Sequence, residues 1–190
     1  VQRVGAAAVM LVTTVCGDAW LVGLAWQGGR WQAVNRHALV ADARPGACRI
    51  TRARAEACAM RSSVAREIVA VFSSGSEEGD EVRDPVLRLY HLGADGKLDA
   101  WSDDIPFGST DDATGAVREA EWAVDDALQI PRDLYVQINP GQRGPGGASP
   151  AIVVRRTYRL DRARLVLAEE RTEAYRPRGG AVIPQASLVQ

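Results

Sequence analysis

Two histidines, His37 and His91, are the side chains best suited to act as general bases near neutral pH or as imidazole ligands of a metal ion. Neither has another histidine, a cysteine or a carboxylate at the sequence spacing that metal sites use. The esterase signature, in which glycines flank a nucleophilic serine at fixed offsets, is not met between Ser73 and Ser76. The sequence therefore predicts no catalytic residue, no metal site and no cofactor from a local motif.

Carboxylates far apart in the sequence could still meet in space, because hydrolysis by paired carboxyl groups requires only that the two groups flank one substrate bond. The candidates are Asp103, Asp104 and Glu170. A hydrolase built in this way leaves no local signature. It therefore stays open as an alternative to a protein without catalytic activity.

Three cysteines bear on the compartment of the protein. Cys48 and Cys58 are close enough in sequence to close a small disulfide loop, whereas Cys16 stands apart. An oxidised pair is typical of a periplasmic or secreted protein. Two reduced, buried cysteines fit equally well, since a free cysteine often serves as a small apolar core residue, and this alternative leaves a cytoplasmic location open.

Tryptophans are concentrated in the N-terminal part of the chain. Trp20 and Trp26 are an even number of residues apart, so they share one face of an unbroken strand, and Trp31 can join them across a turn. Gly28 and Gly29 supply the positive φ values that a two-residue hairpin turn requires. Such a line of aromatic rings is either part of the core or a binding surface.

The most regular pattern lies at residues 151–176. Apolar and polar side chains alternate with a period of two on both sides of a short turn at residues 161–164. Placing Leu160 opposite Leu165 aligns the apolar side chains of the two strands. The pattern predicts an antiparallel hairpin.

The same register sets opposite charges against each other, with Arg156 facing Glu169 and Arg155 facing Glu170. The two arginines are candidates for a charged binding face. The alternative is a solvated outer face of the sheet, because ladders of exposed arginine and glutamate are common.

Further strands are predicted where apolar residues run between turn signals. Asp95 and Gly96 form a typical hairpin turn between two of them. The predicted strands cover residues 9–15, 20–27, 30–40, 67–73, 85–92, 97–101 and 134–138. Residues 50–66 are ambiguous, since charged residues alternate with alanines while the alanine content favours a helix. We favour a strand or hairpin there.

One main α-helix is predicted near residues 110–129. Thr110 or Asp111 would cap its N-terminus, small apolar residues then recur at spacings of three and four, and Pro131 ends the pattern. Trp122 would lie on the acidic side of this helix. An aromatic ring in that position needs cover from another part of the chain or from a partner, which makes Trp122 a candidate binding residue.

The N-terminal segment at residues 4–15 has two interpretations. Arg3 followed by a short apolar run resembles a secretory signal. The alternative, which we favour, is an ordered strand. The run is too short to cross a bilayer as a helix, so the sequence predicts no transmembrane segment.

The length of 190 residues suits a single globular domain over residues 1–190, with a flexible apolar tail at 177–190. The formal net charge of −1 lacks the basic excess of nucleic-acid-binding proteins, so no nucleic-acid partner is expected. We expect an α+β fold that is predominantly antiparallel β, either a sandwich or a strongly bent sheet, with the one helix against it.

The function that the sequence favours is a non-enzymatic binding or accessory protein of a bacterial type, such as an inhibitor, an immunity protein or an envelope interaction module. Its partner would be another protein. Alternatively, the chain would be a structural subunit in which the tail or the Arg/Glu hairpin builds a homo-oligomer. The sequence does not determine a small-molecule ligand. The candidate binding residues are Trp20, Trp26, Trp31, Trp122, Arg155 and Arg156.

Overall fold

The computed structural model describes residues 1–14, 18–40, 51–76, 79–82, 84–110, 117–125, 130–138 and 151–175. These residues form β-strands joined by turns and irregular segments, and none of them is helical. In chain order the strands are β1 (Gln2–Val4), β2 (Ala7–Thr13), β3 (Ala19–Gln27), β4 (Arg30–Val40), β5 (Thr51–Cys58), β6 (Glu67–Ser76), β7 (Gly79–Val82), β8 (Val86–Leu92), β9 (Leu98–Ala100), β10 (Ile105–Pro106), β11 (Gly108–Thr110), β12 (Val117–Glu119), β13 (Glu121–Val124), β14 (Leu134–Ile138), β15 (Ala151–Asp161) and β16 (Arg164–Tyr175).

The strands form three larger sheets and one two-stranded ribbon. Sheet I is a meander of β1 to β4 in chain order. Sheet II has the order β10-β8-β6-β5, with β7 paired to β6 and β9 paired to β8. Sheet III is a second meander, β13 to β16, and β11 pairs with β12 in the ribbon. Every pairing between described strands is antiparallel, which confirms the predicted predominance of antiparallel β structure.

Sheet II lies between sheets I and III, and apolar side chains cover both of its faces. Along β6, Ile68 and Phe72 belong to the core shared with sheet I, whereas Val69 and Val71 belong to the core shared with sheet III. Because side chains alternate along the strand, β6 contributes residues to two separate cores. A strand covered on both faces requires a continuous apolar run, and the predicted strand at residues 67–73 is confirmed.

Sheets I and II approach each other closely at two glycines. A Cβ atom on Gly23 would collide with the carbonyl oxygen of Gly96, and one on Gly96 would collide with the carbonyl oxygen of Leu24. Beside them, the side-chain amide of Asn35 binds β9 as a neighbouring strand would. Its Nδ2 donates to the Leu98 carbonyl at 2.7 Å, and its Oδ1 accepts from the Leu98 N–H at 2.9 Å. These contacts join sheet I to the β8–β9 hairpin.

The predicted hairpin at residues 151–176 is formed by β15 and β16, and Leu160 pairs with Leu165 as expected. The register then shifts by one residue between Thr157 and Tyr158. Such a shift marks a β-bulge, which adds one residue to one of the two strands. The pairing beyond the bulge is displaced as a result.

The bulge corrects the predicted charge pairs. Arg156 lies opposite Glu170 rather than Glu169, and Arg155 lies opposite Arg171 rather than Glu170. The alternation of apolar and polar side chains predicts the hairpin but contains no signal for the bulge. The displacement by one residue could therefore not be predicted from the sequence pattern.

The helix predicted near residues 110–129 is wrong for the part that the structure describes. That part contains β12 and β13, and β13 pairs with β14. Trp122 and Val124 pack against the core between sheets II and III, because residues two apart share one face of a strand, and Ala120, just before β13, is buried in the same core. The spacing of four between Ala120 and Val124 also fits a helix, and pairing with β14 decides between the two patterns. The predicted cap at Asp111 lies outside the described residues.

Two uncertain segments contain strands in the part that the structure describes. Residues 4–15 include the end of β1 and all of β2, and residues 50–66 include β5. None of the described residues belongs to a helix that is long and apolar enough to cross a membrane. The predicted tail at 177–190 lies outside the described residues, and the single domain over residues 1–190 stays a prediction.

Candidate functional site

The outer face of sheet I, which points away from sheet II, is accessible to solvent. Along β3 the side chain of Leu21 is buried against sheet II, whereas Trp20, Val22 and Leu24 are half-buried on the opposite face. Trp26 follows on that outer face and is 47% exposed. The clean alternation along β3 therefore presents a row of large apolar side chains to the outside.

Trp26 and Trp31 lie at one end of this face, at the hairpin between β3 and β4. They are cross-strand partners whose ring centroids are 5.4 Å apart and whose planes meet at 67°, an edge-to-face arrangement. Gly28 and Gly29 make the turn with φ values of +56° and +79°, which favour glycine. The guanidinium carbon of Arg3 lies over the Trp31 ring, 5.5 Å from its centroid, so a cation flanks the aromatic pair.

The predicted residues Trp20, Trp26 and Trp31 all lie on this outer face, which we call the tryptophan face. Strand pairings connect its members, because directly opposed residues of neighbouring strands share one face. Its half-buried or exposed apolar side chains are Met10, Val12, Trp20, Val22, Leu24, Trp26, Trp31, Ala33 and Ala38, and Ala8, opposite Leu24, is buried.

The charged side chains around the tryptophan face are basic. Arg3 on β1 and Arg36 on β4 lie on the same face as the tryptophans, at opposite edges of sheet I. Arg30 lies at the end of the β3–β4 hairpin. Asp18, which precedes β3, is the one carboxylate among residues 1–14 and 18–40. The face therefore combines an apolar centre with cationic edges.

The remaining predicted binding residues lie on sheet III, on the other side of sheet II. Trp122 is on β13 and packs against the core between sheets II and III, not on the acidic side of a helix. Arg155 Nη1 lies 3.1 Å from Glu173 Oε1, and Arg156 Nε lies 2.7 Å from Glu170 Oε2. The structure thus separates these three residues from the tryptophan face.

The carboxylates considered for a hydrolase each contact a different arginine. Such ion pairs hold a carboxylate against a cation rather than against a second carboxylate. The pairs are Asp103 with Arg164, Asp104 with Arg88, and Glu170 with Arg156.

A buried carboxylate that the sequence analysis did not single out lies in sheet II. The Glu67 side chain is 1% exposed, its Oε2 accepts from the Met60 N–H at 2.9 Å, and its Oε1 lies 3.3 Å from His91 Nδ1. The His91 ring stacks on Trp101, with centroids 4.3 Å apart and planes 3° apart. The guanidinium of Arg61 lies 5.8 Å from the same tryptophan ring.

The pKa of Glu67 is set by opposing effects. Burial alone would raise this pKa, but the hydrogen bonds from His91 and the Met60 N–H, together with the charge of His91, lower it below its usual value. The ionised carboxylate therefore orients the imidazole ring. In the described part of the chain Glu67 is the one hydrogen-bond partner of the His91 ring. The signal in the sequence was a carboxylate at the start of a fully buried strand, which requires a partner.

Cys58 is a free, buried thiol that lies opposite Glu67 on the neighbouring strand. Burial, with the negative charges of Glu67 and Glu56, raises the pKa of this thiol to about 12. The structure therefore does not support the predicted bond between Cys58 and Cys48. Cys48 and Cys16 lie outside the described residues.

Within the described ranges, no three side chains of His, Cys, Asp or Glu come close enough together to hold a metal ion. No protein-family model, curated protein or solved structure matches this chain. Its function is therefore inferred from its surfaces and side-chain chemistry.

Proposed function

We propose that this chain is a non-enzymatic binding protein and that it binds a protein partner through the tryptophan face. The observation that carries the proposal is the edge-to-face pair of Trp26 and Trp31, in which Trp26 is 47% exposed. With the half-buried apolar side chains beside it, the pair forms contiguous, partly accessible apolar surface, and such surface typically marks an interaction site. Tryptophan and arginine are also enriched among the residues that dominate interface energetics.

The dimensions of the tryptophan face suit a protein partner. The six residue steps along β3 from Trp20 to Trp26 span about 20 Å, and the outer strands of the four-stranded sheet I are about 15 Å apart. A standard protein interface buries about 800 Å² on each partner, with an apolar centre and a polar rim. The tryptophan face has the size of such a centre, and its arginines lie where the rim would be.

The separate ion pairs of Asp103, Asp104 and Glu170 favour binding over hydrolysis. A hydrolase requires its two carboxyl groups to flank one substrate bond, and a carboxylate held by its own arginine is less free to do so. The His91 imidazole is likewise occupied by Glu67.

The test compares a variant of the face with a matched variant elsewhere. Trp26→Ala with Trp31→Ala removes the aromatic pair, whereas Leu167→Ala removes an apolar side chain that is 51% exposed on sheet III. Each protein is immobilised and exposed to an extract of the native source, and the retained partner is then mapped by hydrogen exchange. We expect retention by the wild type and Leu167→Ala, loss with the double variant, and protection of β3 and β4 in the complex. Equal retention by all three proteins would contradict the proposal.

A further inference from the structure

The arginines of the tryptophan face have no ion-pair partner among the described residues. Among the described residues, Arg3, Arg30 and Arg36 are in no ion pair, although carboxylates make up about half of the charged residues of the chain. The arginines that do pair with carboxylates all lie on sheets II and III, although Arg52 of sheet II is in no ion pair. These are Arg54, Arg88, Arg155, Arg156, Arg159, Arg164 and Arg171.

We infer that the partner presents an extended protein segment in which apolar side chains are flanked by carboxylates, a refinement that rests on the proposed function. The apolar side chains of the segment lie on the centre of the tryptophan face. Its carboxylates reach Arg3, whose guanidinium lies over the Trp31 ring, and Arg36 on β4. This placement matches apolar surface with apolar surface and supplies the unpaired cations with anions.

A second copy of the chain fits this face less well. A symmetric dimer brings the same patch of both copies together, so it would place the arginines of one copy near those of the other. Like charges set against each other oppose association. Asp18 alone, at one end of β3, does not offset the cations at both edges.

Single-stranded nucleic acid also combines stacking with cation contacts, but the composition of the face argues against it. Nucleic-acid surfaces track several successive phosphates with a continuous basic groove. Here Met10, Val12, Val22 and Leu24 occupy much of the face between the tryptophans. Aliphatic side chains of this kind suit the apolar side chains of a protein segment.

The test uses three synthetic peptides of one length that alternate Phe or Leu with Glu, with Gln or with Lys. Tryptophan fluorescence and calorimetry report binding at about 50 mM and about 500 mM salt, because screening weakens exposed charge contacts. We expect the Glu peptide to bind about tenfold more tightly than the Gln peptide and the Lys peptide to bind most weakly, with the advantage of the Glu peptide falling at high salt.

Two double variants test whether the arginines of the tryptophan face cause the preference for the Glu peptide. Arg3→Gln with Arg36→Gln should bring the Glu peptide to within about twofold of the Gln peptide, since the cations are gone. Arg164→Gln with Arg171→Gln makes the same change of charge on sheet III and should leave the tenfold preference in place.

The remaining outcomes separate the two proposals. If the three peptides bind equally and Trp26→Ala with Trp31→Ala abolishes binding, the acidic partner is wrong and the proposed function stands. If the double tryptophan variant binds the peptides as the wild type does, both are wrong. No binding of the Glu peptide at about 1 mM would overturn the inference. Tighter binding of oligothymidylate than of the Glu peptide would also overturn it. So would a dimer, seen by sedimentation, that Trp26→Ala with Trp31→Ala converts to monomer.

Discussion

Glu67 and His91 face each other across β6 and β8, with 3.3 Å between Glu67 Oε1 and His91 Nδ1. The two residues are 24 positions apart in the chain, so the pairing of the strands alone brings them together. The contact gives a buried carboxylate a partner, and it holds the ring that stacks on Trp101. It links one core residue of sheet II to the pH dependence of stability.

Replacing Glu67 by Gln should flatten that pH dependence. A carboxyl group whose folded-state pKa is lowered stabilises the protein above its unfolded-state pKa, near 4.5, and this stabilisation is lost as the pH falls through the folded-state value. We therefore expect Glu67→Gln to cost about 1.5–3 kcal/mol at pH 7 and progressively less below pH 4.5, measured by urea denaturation from pH 3 to 7. Glu169→Gln, an exposed carboxylate on β16, is the control. Parallel curves for wild type and Glu67→Gln would contradict the role of this carboxylate.

Replacing Gly23 or Gly96 by Ala should separate sheets I and II. The added Cβ would meet a backbone carbonyl in either case, and backbone cannot move aside as a side chain can. We expect each variant to lose at least about 2–3 kcal/mol of stability, which thermal unfolding would record as a fall in Tm of several degrees.

Gly5→Ala provides the control for these two variants. Gly5 has φ of +64° but open space where a Cβ would lie, so the substitution tests backbone strain without a collision. Its cost should stay near 1–2 kcal/mol, as is usual for a left-handed residue. A Gly23→Ala protein as stable as the wild type would show that the sheets do not meet in this way.

Replacing a tryptophan by alanine should cost much more stability in the core than on the tryptophan face. Trp101 is 5% exposed and lies in the core between sheets II and III, so Trp101→Ala should cost about 3–5 kcal/mol. Trp26 is mostly a surface residue, and Trp26→Ala should cost no more than about 1 kcal/mol. Chemical denaturation of both variants measures the difference. Similar losses would mean that the tryptophan face is covered.

Cys58 should be inert in the folded protein. With a thiol pKa of about 12, it is almost entirely protonated at pH 8, and the protonated thiol is a poor nucleophile. Iodoacetamide should therefore label Cys58 only after denaturation, which mass spectrometry of the peptide containing it would show. A linked Cys48–Cys58 peptide in a non-reduced digest would contradict the free thiol.

Local pattern was a good guide to the strands of this protein. The period of two in β3, β8, β15 and β16, and the glycines of the turns after β3 and β8, act over a few residues and need no distant contact to be recognised. The same local reasoning was wrong at β13. Ala120 and Val124 fit both a helix and a strand, and only the pairing with β14 excludes the helix.

The sequence did not predict which side chains contact each other across strands and sheets. The bulge at Thr157 redirected Arg155 and Arg156 to other partners, and Asn35 binds Leu98, 63 residues away. For Glu67, the sequence showed only that a carboxylate precedes an apolar run. Which group would neutralise it depends on which strand lies next to β6.

The sequence by itself determined most of the extended segments, though not β12 and β13, and it determined which side chains share a strand face, because both follow from the geometry of a single strand. It placed Trp20 and Trp26 together in this way. Only the tertiary structure decided which faces are covered. Phe72 and Trp26 obey the same alternation, yet another sheet stacks on Phe72 and none of the described strands stacks on Trp26, since stacking joins segments that are distant in the chain.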